Sequence, residues 1–232
     1  MSTFHPLPVG QGAQGINSGE VFALKAKQAG PGPGGDEQAV VWEDPPAQEV
    51  NGLGRGVQPH HRLSQDGIEV IPIRKALEHH PWIRDYYWKL VSVDADKYTA
   101  AVELNLHDGY VIRALPGSKS VYPVQACLYL DKEGLQQNVH NIIIAEEGSE
   151  LHIITGCSTS PHMKKGIHVG ISEFFIKKNA KLSFTMIHNW AEDMMVRPRS
   201  VAQVEEGGLF LNNYICMKPV KSLQMYPTTH LI

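Results

Sequence analysis

The side chains of this chain with the widest chemical reach are three cysteines, Cys127, Cys157 and Cys216, set among twelve histidines. Thiolate and imidazole ligate soft metals and metal–sulfur clusters, and a thiolate is also the nucleophile of sulfur exchange. Their spacing carries information. Four sixteen-residue windows can be superposed: VIRALPGSKSVYPVQA (111–126), IIIAEEGSELHIITGC (142–157), EFFIKKNAKLSFTMIH (173–188) and VAQVEEGGLFLNNYIC (201–216). Their last positions are Ala126, Cys157, His188 and Cys216. If the windows stack in register, Cys157, His188 and Cys216 form a column with neighbours ~4.8 Å apart, a candidate cluster or metal column. The other reading is that each cysteine is a small apolar residue in a stacked core.

The thiols differ in context. Cys157 precedes the stretch STSPHMKKG, which brings in Lys164 and Lys165, and positive charge lowers a thiol pKa. Cys127 lies inside the apolar run VQACLYL and suits a packed strand, whereas Cys216 fits either role. His162 and His168 follow Cys157 and border a site or a surface loop. No GxxxxGK[ST], HExxH, CxxC or GxSxG occurs, which removes P-loop, zinc-protease, dithiol and esterase chemistry in their usual forms.

The elements that would hold these residues follow from the same windows. Their starts are spaced 31, 31 and 28 residues apart, and the seventh position is Gly117, Gly148, Asn179 or Gly207. Glycine and asparagine are the residues that most readily take the left-handed αL conformation. One tight corner recurring at near-constant spacing predicts a solenoid, here a right-handed parallel β-helix rather than an antiparallel sandwich. From Tyr98 onward the chain consists of short strand-like segments, YTAAVELNL among them, and no helix is expected beyond Val91. Ile73–Val91 carries apolar residues at helical spacing, with Pro81 dividing it into two short helices, and its aromatics suit packing on a sheet. Residues 1–60 are dense in Gly and Pro and predict loop or linker, partly disordered, with a short helix over Gly19–Gln28 and an extended piece at Ala39–Trp42. The expected division is therefore a 1–60 linker, a 61–97 helical part and a 98–232 β-helix core, mainly β overall.

The net charge of −3 and pI near 6.4 give no general attraction to nucleic acid or an anionic membrane. An odd cysteine count excludes complete disulfide pairing and points to a reducing, cytoplasmic setting. No apolar run approaches the ~20 residues of a membrane span, and the N-terminus lacks the pattern of a secretory signal.

Several linked stretches resemble the SufB/SufD group of iron–sulfur cluster assembly scaffolds, and most closely its compact archaeal-type members. AEEGSELHIITGCS (145–158) is similar to the family's segment around its GCS motif, and GISEFFIKKNAKLSFTMIHNW (170–190) to the strand that follows. YVIRALPGSKSVYPVQACLYL (110–130) and VKSLQMYPTTHLI (220–232) extend the likeness over roughly Trp82 to Ile232. The resemblance implies a non-catalytic scaffold. On it a transient iron–sulfur cluster is built with a SufC-type ABC ATPase, a SufB/SufD-type partner or second copy, and a cysteine desulfurase as sulfur donor; a flavin is left unassigned. It also implies that Cys157, at the GCS position, is the sulfur acceptor, which favours SufB over SufD. The chain departs from SufB in reading STSPHM after Cys157, and it reaches Ile232 without counterparts of the family's later coils and helical SufC-binding domain. We therefore expect a C-terminally truncated core whose edge near Tyr226–Ile232 pairs with another chain. Two alternatives stand beside this: a SufD-like structural subunit, and a β-helical carbohydrate-active enzyme using Glu146, Glu147, Glu205 and Glu206 beside the corners.

Overall fold

The computed structural model describes residues 21–22, 67–107, 109–130 and 133–232. The chain opens with β1 (Val21–Phe22), β2 (Ile68–Pro72), α1 (Ile73–His79), a 3-10 helix (Pro81–Asp85) and α2 (Lys97–Leu104). There follow β3 (Tyr110–Ala114), β4 (Val124–Leu130), β5 (Gln136–Ala145), β6 (Glu150–Thr159), β7 (Lys165–Ile176), β8 (Lys181–Asn189) and β9 (Asp193–Val196). The last four strands are β10 (Arg199–Val204), β11 (Leu209–Cys216), β12 (Ser222–Leu223) and β13 (Tyr226–Leu231).

The strands form a parallel β-helix of about four turns. One sheet runs β1-β4-β6-β8-β11; the other runs β12-β9-β7-β5-β3-β2, with β10 and β13 joined to it through β7. Every pairing among β3–β13 is parallel, while β1 and β2 add to β4 and β3 antiparallel. Val111 lies opposite Ile142, Ile142 opposite Glu173, and Glu173 opposite Val201, the spacing of the four windows.

The corner is built as the repeat predicts. Gly117, Gly148, Asn179 and Gly207 have φ of 68, 68, 57 and 70°. They are stacked: Gly117 N–H donates to Glu147 O, Gly148 N–H to Lys178 O and Asn179 N–H to Glu206 O. Each coil thus satisfies the polar backbone of its neighbour's turn. The corner carboxylates pair with cations: Glu146 with Arg113 at 2.7 Å, Glu205 with Lys177 at 3.0 Å and Glu206 with Lys178 at 2.8 Å.

The two sheets differ in burial for a reason visible in their sequences. β5 and β7 are buried on nearly every residue because the helical segments cover their outer face, and such strands carry continuous apolar runs (NIIIA, EFFI). In β6 and β8 buried residues largely alternate with more accessible ones, as in a sheet with one covered face. Between the sheets, Ile112, Ile143, Phe174, Ile153, Leu182 and Phe184 pack near the corner. A second interior cluster at the other end of the strands holds Leu128, Leu130, Val139, Cys157, Met163, Trp190, Met194 and Val196.

Pro81 stands at the start of the 3-10 helix and separates it from α1, so the run Ile73–Val91 is divided as expected. Its aromatics pack: Trp82, Tyr86 and Tyr87 lie against Ile83, Val111, Ile142, Ile144 and Phe175 on the outside of the sheet. The segment beyond is anchored by one carboxylate. Glu173, fully buried, accepts the backbone N–H of Trp88 at 2.8 Å, Leu90 at 2.5 Å and Val91 at 3.1 Å, and contacts His140 Nε2 at 2.7 Å. Trp88 has φ 55°, an uncommon conformation for a bulky residue, held by these bonds.

Two expectations are corrected. YTAAVELNL, assigned to strand, contains α2. Asp96 caps it, accepting from the N–H groups of Tyr98 and Thr99 while Thr99 Oγ1 accepts from Asp96 N–H, and this box outweighs the strand preference of Tyr, Thr and Val. Val21 and Phe22, placed in a helix over Gly19–Gln28, are instead a strand antiparallel to β4; both are good strand formers, and β4 offers an edge. The remaining expectations for residues 1–60, including Ala39–Trp42, lie outside the described residues.

Candidate functional site

Cys157 and His188 face each other across neighbouring strands: Cys157 in β6 is the register partner of His188 in β8, which pairs in turn with Cys216 in β11. The expected column therefore exists as a register. Its first member is Leu128, not Ala126, because two extra residues interrupt the coil between Lys119 and Val124: Lys119 pairs with Glu150, yet Val124 pairs with Ile153.

The side chains gather differently from the register. Cys157, His168 and His188 present ligand atoms all within 4.8 Å of one another, and all three residues are buried. Cys216 is exposed and donates its thiol hydrogen to Lys218 O at 3.0 Å, outside this group. His168, which the sequence left between a site and a surface loop, enters from β7 in the opposite sheet, whereas His162 is exposed in the preceding turn. A signal for His168 was available: it shares a period-two face with Gly170, Ser172, Phe174 and Ile176. Gly170 is what lets the ring lie flat on its own strand, since a Cβ there would stand 3.0 Å from His168 Nε2.

Each imidazole is oriented from behind. His168 Nδ1 is 2.8 Å from Gln137 Oε1, and His188 Nδ1 is 2.7 Å from the Tyr214 hydroxyl. With Nδ1 engaged, Nε2 is the nitrogen of each ring left for another partner, an arrangement common in metal-binding histidines. Trp190 closes the group, its ring 4.8 Å from His168 and 5.3 Å from His188. Met186 adds a thioether 3.7 Å from Cys157 Sγ.

Burial sets the protonation states. It pushes the Cys157 thiol well above its usual range; nearby Cys127 acts in the same direction and the Leu128 backbone opposes them. Burial lowers His168 to about 3, with His188 contributing, and lowers His188 to about 4. At neutral pH the group is a protonated thiol beside two uncharged imidazoles. Lys164 and Lys165, expected to lower the thiol, do not act on it: both are exposed, and their backbone N–H groups bond Glu133. Cys127 is half-buried on β4 and its thiol is also raised by burial.

Polar satisfaction marks the same place. Among the described residues, six buried side-chain polar atoms have no partner, and three of them, Gln137 Nε2, His188 Nε2 and Trp190 Nε1, belong to this cluster. Buried polar atoms are almost always bonded, so such a concentration calls for a ligand or bound water. A thiol, two imidazoles and a thioether fit a thiophilic metal or sulfur cargo. The glutamates of the carbohydrate-enzyme alternative do not converge in this way; Glu146, Glu205 and Glu206 are engaged with Arg113, Lys177 and Lys178. No helix among the described residues is long and apolar enough to cross a membrane.

Known proteins with similar sequences identify the family. Residues 128–224 match the family described as SUF system FeS cluster assembly, SufBD core domain. An iron–sulfur cluster assembly SufBD family protein of Archaeoglobus fulgidus is 54% identical over 166 residues, covering 72% of this chain and 44% of that protein. A relative of the same description from Methanothermobacter thermautotrophicus (strain Winter) is 49% identical over 171 residues, 72% of this chain and 42% of its own length. One from Pyrococcus horikoshii is 28% identical over 160 residues, 68% of this chain and 36% of its own. The chain thus spans less than half the length of these relatives. A parallel β-helix, a SufBD core domain within it and relatives of up to 54% identity place this chain in the SufBD family of iron–sulfur cluster assembly proteins.

Proposed function

We propose that this chain is a non-catalytic scaffold subunit for iron–sulfur cluster assembly and that Cys157 is its sulfur acceptor. The observation that carries this reading is the buried group of Cys157, His168 and His188 inside the β-helix. In the transfer, Cys157 sulfur attacks the outer sulfur of a persulfide on a cysteine desulfurase. The donor's S–S bond breaks, a new S–S bond forms at Cys157, and the proton lost from Cys157 ends on the departing donor thiolate; no oxidant is needed. The nascent cluster is cargo of the complete assembly, which also contains a SufC-type ABC ATPase and a second SufB/SufD-type subunit or another copy of this chain, in the cytoplasm. Since the thiol is buried and protonated, acceptance requires it to be uncovered and deprotonated, and ATP hydrolysis by the partner can drive such an opening.

The same burial favours a second reading, a SufD-like structural subunit that never carries sulfur. Persulfide loading separates the two. With desulfurase, cysteine and the complete assembly, loading should disappear in Cys157→Ser and persist in Cys127→Ser and Cys216→Ser. Loading that survives Cys157→Ser refutes the assignment, and no loading at any cysteine of this chain establishes the structural role.

A further inference from the structure

We propose that Cys157, His168, His188 and Met186 form a binding site for a soft monovalent cation, Cu(I). The donor set is one thiol, two imidazoles and one thioether, with Met186 Sδ 3.7 Å from Cys157 Sγ and the other three donors within 4.8 Å of one another. Thiolate and thioether donors select soft ions. The Nε2 of His188, on a residue only 1% exposed, has no hydrogen-bond partner among the described residues and is the ring nitrogen left for a ligand.

Charge distinguishes among thiophilic ions. The group contains no carboxylate, and beyond the uncharged Gln137 and Tyr214 behind its rings it is surrounded by Leu128, Leu130, Val139, Trp190, Met194 and Val196. Both imidazoles are neutral, so a bound Cys157 thiolate is the one negative charge. A monovalent ion leaves the site with no net charge, whereas Zn(II) or Fe(II) leaves an uncompensated positive charge in an apolar interior, which is costly. Binding exchanges the thiol proton for the metal: the S–H bond breaks, the S–Cu bond forms, and one proton is released to solvent per ion, with no change of oxidation state.

The site stands whether or not Cys157 accepts sulfur. Where the proposed function holds, the consequence rests on it: an ion on Cys157 Sγ occupies the atom that receives sulfur, and Cu(I) then blocks loading.

The test uses the full chain carrying Cys127→Ser and Cys216→Ser, so that Cys157 is the one thiol. Anaerobic titration with Cu(I) against a chromophoric chelator should show one tight equivalent and one proton released. X-ray absorption should show nitrogen and sulfur scatterers together. His188→Gln and Met186→Leu should each weaken binding at least about tenfold, the scale on which ligand-shell changes act, and Zn(II) and Fe(II) should bind more weakly than Cu(I). Retention of Cu(I) after a further Cys157→Ser change overturns the proposal, as do scattering by sulfur alone or a preference for Fe(II). Should His188→Gln fail to fold by circular dichroism, the absorption spectrum of the site with its histidines intact decides. A chain that binds Cu(I) but never loads sulfur refutes the acceptor role and leaves this site in place.

Discussion

Replacing Glu173 should detach the segment after the 3-10 helix from the β-helix. Its carboxylate receives three backbone N–H groups, from Trp88, Leu90 and Val91, and contacts His140, with both side chains fully buried. In Glu173→Gln one oxygen can still accept from Leu90 and Val91. The new amide faces the N–H of Trp88, donor against donor, and strands that group at a cost of about 1–3 kcal/mol. His140 can adapt by changing tautomer, because its Nδ1 has no partner. Glu173→Ala removes every bond and leaves Trp88 without support for its φ of 55°. Losing one partner of a buried pair costs about 3–5 kcal/mol, and at about 2–4 °C per kcal/mol for a chain of this size Tm should fall by roughly 6–20 °C. Contacts in a solenoid are local, so the loss should concentrate at one place. Amide hydrogen exchange at residues 88, 90 and 91 should accelerate far more than in β8. If those amides stay protected in Glu173→Ala and Tm falls by less than about 2 °C, the carboxylate does not anchor the segment and the reasoning is refuted.

Acid should weaken the fold through His168 and His188. Their values of about 3 and about 4, against 6.5 ordinarily, mean that below pH ~6.5 the unfolded chain binds protons that the folded chain refuses. That stability is complete above the unfolded pKa and is lost toward pH 4 for His188 and pH 3 for His168, at a slope of about 1.4 kcal/mol per pH unit for each. Urea midpoints between pH 7 and 4.5 should fall less steeply in the double variant His168→Gln/His188→Gln than in the parent, and equal slopes would contradict the assignment. At the corners, Gly148→Ala should cost about 1–2 kcal/mol in urea denaturation through its positive φ alone, because nothing stands where its Cβ would go. Gly207→Ala should cost more, since that Cβ meets the Asn179 side chain, and a smaller cost there would show that the column is not built as described. Native thiol labelling should modify Cys216 first, Cys127 more slowly and Cys157 only on unfolding, with Cys157 reacting at the rate of Cys216 as the contrary result.

What could be read from the sequence was what local conformation dictates. Gly117, Gly148, Asn179 and Gly207 announce the corner because αL backbone selects its residues directly, and the spacing of the windows carried straight through to register. The pairing of Cys157 with His188 followed from the same count. Ala126 was misplaced because an insertion inside one coil leaves the corner motif intact while shifting the strand that follows. α2 was missed because its helix depends on the Asp96 capping box, a signal of two residues set against several strand formers. His168 and the burial of Cys157 depend on which strands face each other across the interior. That is a property of stacked layers, and the charges of Lys164 and Lys165, adjacent in sequence, gave no measure of it.

The insertion between Lys119 and Val124 shows how the coil tolerates change in length. It interrupts a stretch that in the next coil is one continuous strand, β6, and it adds two residues, with Val121 and Tyr122 projecting into solvent. A pleat alternates with period two. An even insertion therefore returns Ala126, Leu128 and Leu130 to the interior, while a single residue would evert the strand and turn Gln125, Cys127 and Tyr129 onto the buried thiol. The three-residue shortening between β8 and β9 falls in a turn, where no pleat runs through and odd steps are free. Length variation in this family should thus obey a parity rule inside strands and none at the loops, and an odd insertion within a coil would mark a place where the wall of the helix has been turned inside out.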